Sequence, residues 1–310
     1  MFAELAISPS VFLGTSFASP DVCDAHLSGL KDVLLNSTLT RDLRGGSFST
    51  HILGCVGLHE RGKELLKQMI KRRRLIPFPA ALEADPETSA DWIREAMRSH
   101  EKQPLTGMLS CAAVKGEFDS PLVADIAKRG SVDWWHQEVL RSSWTIPRTI
   151  VDYQILLAPL FRHANSIRFI DPHLDPSQAR YSGFGTLLLP LKYREEAPEI
   201  EIHRVCYSGS GESRRVLTEA DIRGLFAGLS EQLSAHGLRA TVFVWADDHD
   251  RHILTDIGGL MLGNGLDTSH AVDTAVTWSR IDRYTQDQIS RRHDTAVNGK
   301  NLRFQFDIGG

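Results

Sequence analysis

The chain has 310 residues, 42% of them hydrophobic and 24% charged, which is the composition of a globular protein long enough for two domains with real cores. Its net charge of −4, from 35 basic and 39 acidic residues, excludes a protein that coats nucleic acid with its whole surface, so any phosphate contact must be a local patch. No run of eighteen apolar residues is present, which argues against a transmembrane helix.

From the N-terminus, the acid at Glu4 and the short apolar run exclude a secretory signal. Four scattered cysteines, Cys23, Cys55, Cys111 and Cys206, form no Cys-x-x-Cys pair, so reduced thiols and a cytoplasmic location are expected. Residues 1–147 read as a mixed α/β or mostly helical domain. Ala6-Ile7 and Val11 to Leu13 make an apolar start of strand type, and Ser19-Pro20 caps a helix that runs to Leu35. Arg44-Gly45-Gly46 is a loop. A second helix covers Glu60 to Arg73, with Leu65, Leu66 and Ile70 on one side and a basic cluster that includes Lys67, Lys71, Arg72 and Arg73. That cluster is either a solvated helix face or a contact for phosphate or an acidic partner. Pro77 and Pro79 break the chain, and Asp91 to His100 forms a helix with Trp92, Ile93 and Met97 inside.

His51, Cys55 and His59 are spaced by four, but Gly54 and Gly57 weaken a helix there and no fourth ligand accompanies them, so no metal site is assigned. No glycine-rich phosphate loop of P-loop or dinucleotide type occurs, and no cofactor is expected. Trp134-Trp135 is read as an interdomain hydrophobic contact rather than a base-stacking platform. The domain boundary is placed at Ile146-Pro147.

Beyond it, helix and strand patterns alternate, which is the signature of an α/β sandwich. A helix over Ile150 to His163 leads into a buried strand, Ile167 to Ile170, which ends in Asp171-Pro172-His173, where an α/β sheet collects ligands. Ile200 to Val205 is a strand carrying His203 and Arg204. Thr218-Glu-Ala-Asp221 is a capping box opening a helix to His236, and Arg239 to Trp245 is taken as the central strand. That strand delivers the chain to His249-Asp250-Arg251, with Asp256 and then Gly263-Asn264 further on. His-x-Arg-x-x-x-x-Asp suits phosphodiester chemistry: histidine attacks phosphorus or protonates a leaving oxygen, guanidinium grips phosphoryl oxygens, and carboxylate orients imidazole. On a strand His249 and Arg251 would share one face. The arginines of the tail from Trp278 to Arg303 are mostly paired surface charge, with some beside this site if the tail folds back on the sheet edge.

The run from Glu231 to Val244, His249-Asp250-Arg251, and Gly263 to Asp267 resemble the C-terminal domain of the MIT-domain-containing family that acts at the cytokinetic membrane. Ile167 to Leu174 and Ile202-His203 resemble two strands of that family. The resemblance implies a phospholipase D-like fold for about residues 148–310; nothing in residues 1–147 resembles the family's MIT helices. Its two sides imply different functions. The cytokinetic domain is a lipid binder, whereas the phospholipase D superfamily uses His-x-Lys-x-x-x-x-Asp and Gly-x-x-Asn in catalysis. Here Arg251 replaces the Lys, Asp256 stands at the Asp, and Gly263-Asn264 has altered spacing; Arg keeps the charge but not the shape.

The first function expected is therefore a metal-independent phosphodiesterase, a nuclease with His249 as nucleophile, Arg251, Asp256 and Asn264 around it, and His203 as alternative acid. Asp171, His173, Arg204 and the basic cluster would hold nucleic acid or another phosphodiester. Single-motif relatives complete the site by pairing copies, which implies a homodimer. The alternative is a non-catalytic module binding phosphate, lipid or a protein partner. A third reading is a scaffold subunit whose residues 1–147 dock a partner, and the first half, which resembles nothing familiar, suggests by analogy alone that the phosphodiesterase serves a prokaryotic multi-component defence system.

Overall fold

The structure, a computed structural model, describes residues 2–209, 211–269, 271 and 274–310. The chain is an α/β protein of two compact units, Met1–Arg141 and Ser142–Gly310. Among the described residues no helix is long and apolar enough to cross a membrane.

The first unit is built on an all-parallel sheet of β1 (Ala3–Ile7), β2 (Thr38–Asp42), β3 (Leu75–Phe78), β4 (Gly107–Ser110) and β5 (Val123–Asp125), in the order β3-β2-β1-β4-β5. Between the two open readings the unit is thus α/β. Its helices are α1 (Pro20–Asn36), α2 (Leu43–Gly54), α3 (Glu60–Lys71), α4 (Ser89–Lys102) and α5 (Ala112–Lys115). α1 starts where the sequence places it: the Ser19 hydroxyl accepts from Val22 N, with Pro20 at the first position. α2 is interrupted at Arg44, Gly45 and Gly46, all three with positive φ.

Two strands of this sheet are hidden in the sequence, one by polar residues and one by a proline. β2 is Thr-Leu-Thr-Arg-Asp, yet every residue is buried. Arg41 is tolerated there because its guanidinium donates to Glu4 Oε1 (2.8 Å), Ser99 Oγ (2.9 Å) and Gln103 O (2.7 Å), which satisfies a buried charge in full. β3 contains Pro77, where a chain break is expected; as an edge strand it can lack one backbone donor. The tryptophan pair also differs from expectation. Trp135 is buried in this unit's own core and Trp134 lies over Gly107, where a Cβ would come within 2.5 Å of the indole.

The second unit begins before the expected boundary, because β6 (Ser143–Pro147) is an edge strand of its sheet. In chain order there follow α6 (Ile150–His163), β7 (Ser166–Ile170), α7 (Phe184–Leu188), β8 (Glu199–Val205), β9 (Tyr207–Ser208), β10 (Arg215–Val216), α8 (Glu219–Ser234), β11 (Arg239–Trp245), β12 (His252–Thr255), β13 (Gly258–Leu262), β14 (Ala275–Ile281), α9 (Arg283–Arg292), α10 (Thr295–Asn298) and β15 (Leu302–Gly309). The sheet has the order β15-β11-β8-β7-β12-β13-β14-β6, with β7, β8 and β11 parallel. β11 is therefore not central: β15, from the tail, pairs antiparallel along its outer side.

Helices cover both faces. Phe161 of α6 and Phe184 of α7 pack on Phe169, and Phe226 of α8 packs on Phe306. On the other face Ile289 of α9 packs with Ile170 and Leu254. The period of two then sends His203 and Arg204 to opposite faces.

Candidate functional site

The carboxyl ends of β7, β8 and β11 gather most of the second unit's expected site residues. Asp171, the first residue after β7, is fully buried. Oδ1 accepts from His173 N (3.1 Å), and Oδ2 accepts from Leu266 N (3.0 Å) and Tyr181 Oη (3.3 Å). Burial pushes its carboxyl up, against the pull of those backbone donors and of Arg251.

Arg251 leans onto this carboxyl. Its Nε lies 3.9 Å from Asp171 Oδ1, and 32% of its side chain reaches solvent. That distance is an ion pair without a hydrogen bond, and the buried Nε has no hydrogen-bond partner among the described residues. Gly265 closes the cluster at φ +85°: a Cβ there would lie 2.4 Å from Asp171 Oδ2 and 3.1 Å from Arg251 Cδ. Glycine is required twice over, by conformation and by space. Asn264, beside it, is exposed in the turn after β13.

His173 is half-buried beside the same groups. Burial lowers its pKa; Asp171 opposes this, while Arg251, Arg204 and Arg180 reinforce it. Arg204 is a structural cation. Its guanidinium is buried and donates to the carbonyls of Val205 (3.0 Å), Leu174 (3.1 Å) and Tyr207 (3.3 Å), tying together the loops that follow β7 and β8.

His249 and Arg251 do not share a strand face, since β12 starts only at His252 and both residues lie in the loop before it. The His249 side chain is 81% exposed, with Nε2 3.8 Å from Asp247 Oδ2. Asp256 lies apart from them, in the turn between β12 and β13, where Oδ1 accepts from Asn165 N (2.9 Å) at the start of β7. At roughly 3.3 Å per residue, the length of β7 keeps it roughly 16 Å from Asp171.

His203 is buried on the α9 face with both ring nitrogens occupied. Nδ1 accepts from Trp245 Nε1 (2.9 Å), so Nε2 carries the hydrogen and donates to Glu201 Oε2 (3.1 Å). Phe243 stacks on the ring at 4.8 Å. Burial lowers the imidazole to about 4, which keeps it neutral, while its bond and that of Arg168 overcome burial and hold Glu201 down to about 2.

Also on the α9 face, the loop 247–250 closes on His293 and Arg292, around a cavity of about 330 Å³ lined by Trp245, Asp248, His249 and His293 among others. Neither Asp248 nor His293 stands out in the sequence; the tail's approach to the site is the one signal that hinted at the pair.

In the first unit Lys67, Lys71, Arg72 and Arg73 are exposed on α3 and just after it, with Arg72 Nη1 donating to Asn36 Oδ1 (3.2 Å). His59 caps α3, its Nδ1 accepting from Arg61 N (3.2 Å), and His51 lies against Trp92. Among the described residues no group of three His, Cys, Asp or Glu side chains is placed to hold a metal.

The fold and site define an α/β protein with Arg251, His173 and the exposed His249 near the carboxyl ends of three parallel strands. No family profile and no curated protein matches the chain. Among solved structures it is similar to TrmBL2, an archaeal chromatin protein whose structure shows a novel mode of DNA binding, at a TM-score of 0.31 and 12% identity, covering 79% of this chain and 82% of that one. It is also similar to the polyphosphate kinase of Porphyromonas gingivalis, at a TM-score of 0.31 and 9% identity, covering 51% of this chain and 26% of that one. At such scores the likeness carries no weight for function, which rests on the site.

Proposed function

We propose that the second unit, on a phospholipase D-like framework, binds a phosphate or phosphodiester group at the carboxyl ends of β7, β8 and β11. The observation that carries this is Arg251: a partly exposed guanidinium beside a buried carboxyl that it does not hydrogen-bond, with one buried N–H left without a partner. Asp171 already accepts from two backbone N–H groups and from Tyr181 Oη and is not hydrogen-bonded to Arg251, so the exposed part of the guanidinium can take an anion. His173 lies within electrostatic reach of both Arg251 and Arg180. Guanidinium and phosphate form charge-assisted hydrogen bonds, about twice as strong as neutral ones.

The test is titration with inorganic phosphate and with a short oligonucleotide. Arg251→Met should weaken both by about tenfold or more, the loss of one charged hydrogen-bond donor set. Equal affinity in wild type and variant would remove the proposal.

A second reading, turnover, is favoured by one observation: the His249 imidazole is exposed next to a carboxylate, so it can meet phosphorus. His203 has no free nitrogen to protonate the leaving oxygen, so the acid must come from elsewhere, such as the His249 of a second copy across a two-fold axis. Mixing His249→Ala chains with wild type should then depress hydrolysis of a generic phosphodiester faster than the wild-type fraction falls. Hydrolysis that simply follows that fraction would exclude a shared site.

A further inference from the structure

The loop 247–251 carries the exposed histidine and delivers Arg251, and the C-terminal end of α9, with its cap residue His293, holds it. His293 Nδ1 lies 3.0 Å from Ile289 O, which can only accept, so Nδ1 carries a hydrogen. Its Nε2 lies 2.6 Å from Asp248 Oδ2. Asp248 Oδ1 in turn accepts from His249 N (2.8 Å) and Asp250 N (3.2 Å). One carboxylate thus joins the imidazole of His293 to the backbone of His249. Arg292 adds an ion pair to Asp250, while Asp247 accepts from Tyr207 Oη at 2.7 Å.

We infer that His293 is a positioning residue for the anion site, fixing through Asp248 the loop that presents His249 and Arg251, with Arg292 as its second tie. This rests on the phosphate-binding reading above. α9 is a firm base for the role: Ile289 packs on Ile170 and Leu254, and Gln286 Nε2 donates to Thr255 O (2.5 Å). The pair is also largely buried: the His293 and Asp248 side chains are 4% and 13% exposed, and the His293 ring meets the rings of His203 at 5.2 Å and Trp245 at 5.6 Å edge to face. Burial disfavours the carboxylate of Asp248, but the His293 bond outweighs it and holds the group below the usual carboxylate range. Both ring nitrogens of His293 thus face acceptors, Ile289 O and Asp248 Oδ2, at the C-terminal end of α9. The backbone of Arg251 has its own anchor, Leu262 N donating to its carbonyl at 2.9 Å, so a loosened loop should weaken the site without dismantling it.

The experiment measures the dissociation constant of inorganic phosphate at constant ionic strength, with melting temperature as a check on folding. His293→Phe, which keeps an aromatic ring but no donor, should bind about five- to tenfold more weakly, and Arg292→Gln about two- to threefold, as expected for lost charged hydrogen bonds. His293→Gln, whose amide can still donate to Asp248, should stay within about twofold of wild type. Wild-type affinity in His293→Phe, or a loss in His293→Gln as large as that in His293→Phe, overturns the inference. Should His293→Phe fail to fold, Arg292→Gln decides, and wild-type affinity there overturns it. Phosphate binding absent from the wild type would instead remove the phosphate-binding reading itself.

Discussion

Trp245 donates its indole N–H to Nδ1 of His203 across 2.9 Å, and this bond between neighbouring parallel strands decides what the histidine can do. With Nε2 committed to Glu201, the ring is a neutral piece of buried polar network and not a free acid. The strand-end position that made His203 attractive is real, but both of its ring nitrogens are taken.

A pH dependence of stability follows. His203 is held at about 4 by burial, below its ordinary 6.5. Between those values the unfolded chain binds a proton that the folded one refuses, so its contribution is full above pH 6.5 and lost as pH falls toward 4, by roughly 3 kcal/mol at most. Glu201, held at about 2 against an ordinary 4.5, adds its own loss only below that higher value. Urea denaturation at pH 7 and 5 should show wild type losing stability over this interval and His203→Gln losing distinctly less. Parallel losses would mean that another group carries the effect.

Gly265→Ala should damage both stability and binding. The φ of +85° and the 2.4 Å approach to Asp171 Oδ2 act together, and a strained backbone plus a displaced buried carboxyl amounts to about 2–4 kcal/mol. Chemical denaturation and phosphate titration of the variant check it; a melting temperature and affinity like those of wild type would show that the turn after β13 gives way easily.

Asp256→Ala, by contrast, should leave phosphate affinity unchanged. The carboxylate accepts from Asn165 N at the opposite end of β7, a full strand length from Arg251. An affinity loss comparable to that of Arg251→Met would require the loop and the turn to act as one site.

Replacing Lys67, Lys71, Arg72 and Arg73 together by Gln should weaken polyanion binding by the full-length chain and flatten its salt dependence, with the melting temperature near wild type because all four are exposed. An unchanged salt slope, measured with a short duplex from low to moderate salt, would leave the face of α3 as a solvated one.

Chelation is a simpler check on the same chemistry. Among the described residues no three metal-binding side chains converge, and Arg251 supplies the positive charge, so excess EDTA should leave phosphate affinity where it was. A loss that a divalent ion restores would place a cation in the site.

How far the sequence reaches is clear from particular elements. Ser19-Pro20 and Thr218-Glu-Ala-Asp221 start helices where local capping chemistry says they must, because a cap needs only its own neighbours. The alternation in residues 148–310 marks α/β, and Asp171-Pro172-His173 stands at a strand end as its pattern implies. β2 is illegible by the same rules: Thr-Leu-Thr-Arg-Asp is a buried strand only because Glu4, Ser99 and Gln103, distant in sequence, converge on Arg41. The site shows the same division. Residue types able to grip phosphate are present in the sequence at His249, Arg251 and His173. Which of them meet was decided by the sheet: the parallel register sets His203 against Phe243, the reversal at Ile257 carries Asp256 to the far end of β7, and Gly265 returns the chain to Asp171. Local patterns set identities and caps because their energies are local; the pairing of Asp248 with His293, 45 residues apart, exists only once long-range burial has brought α9 back onto the sheet.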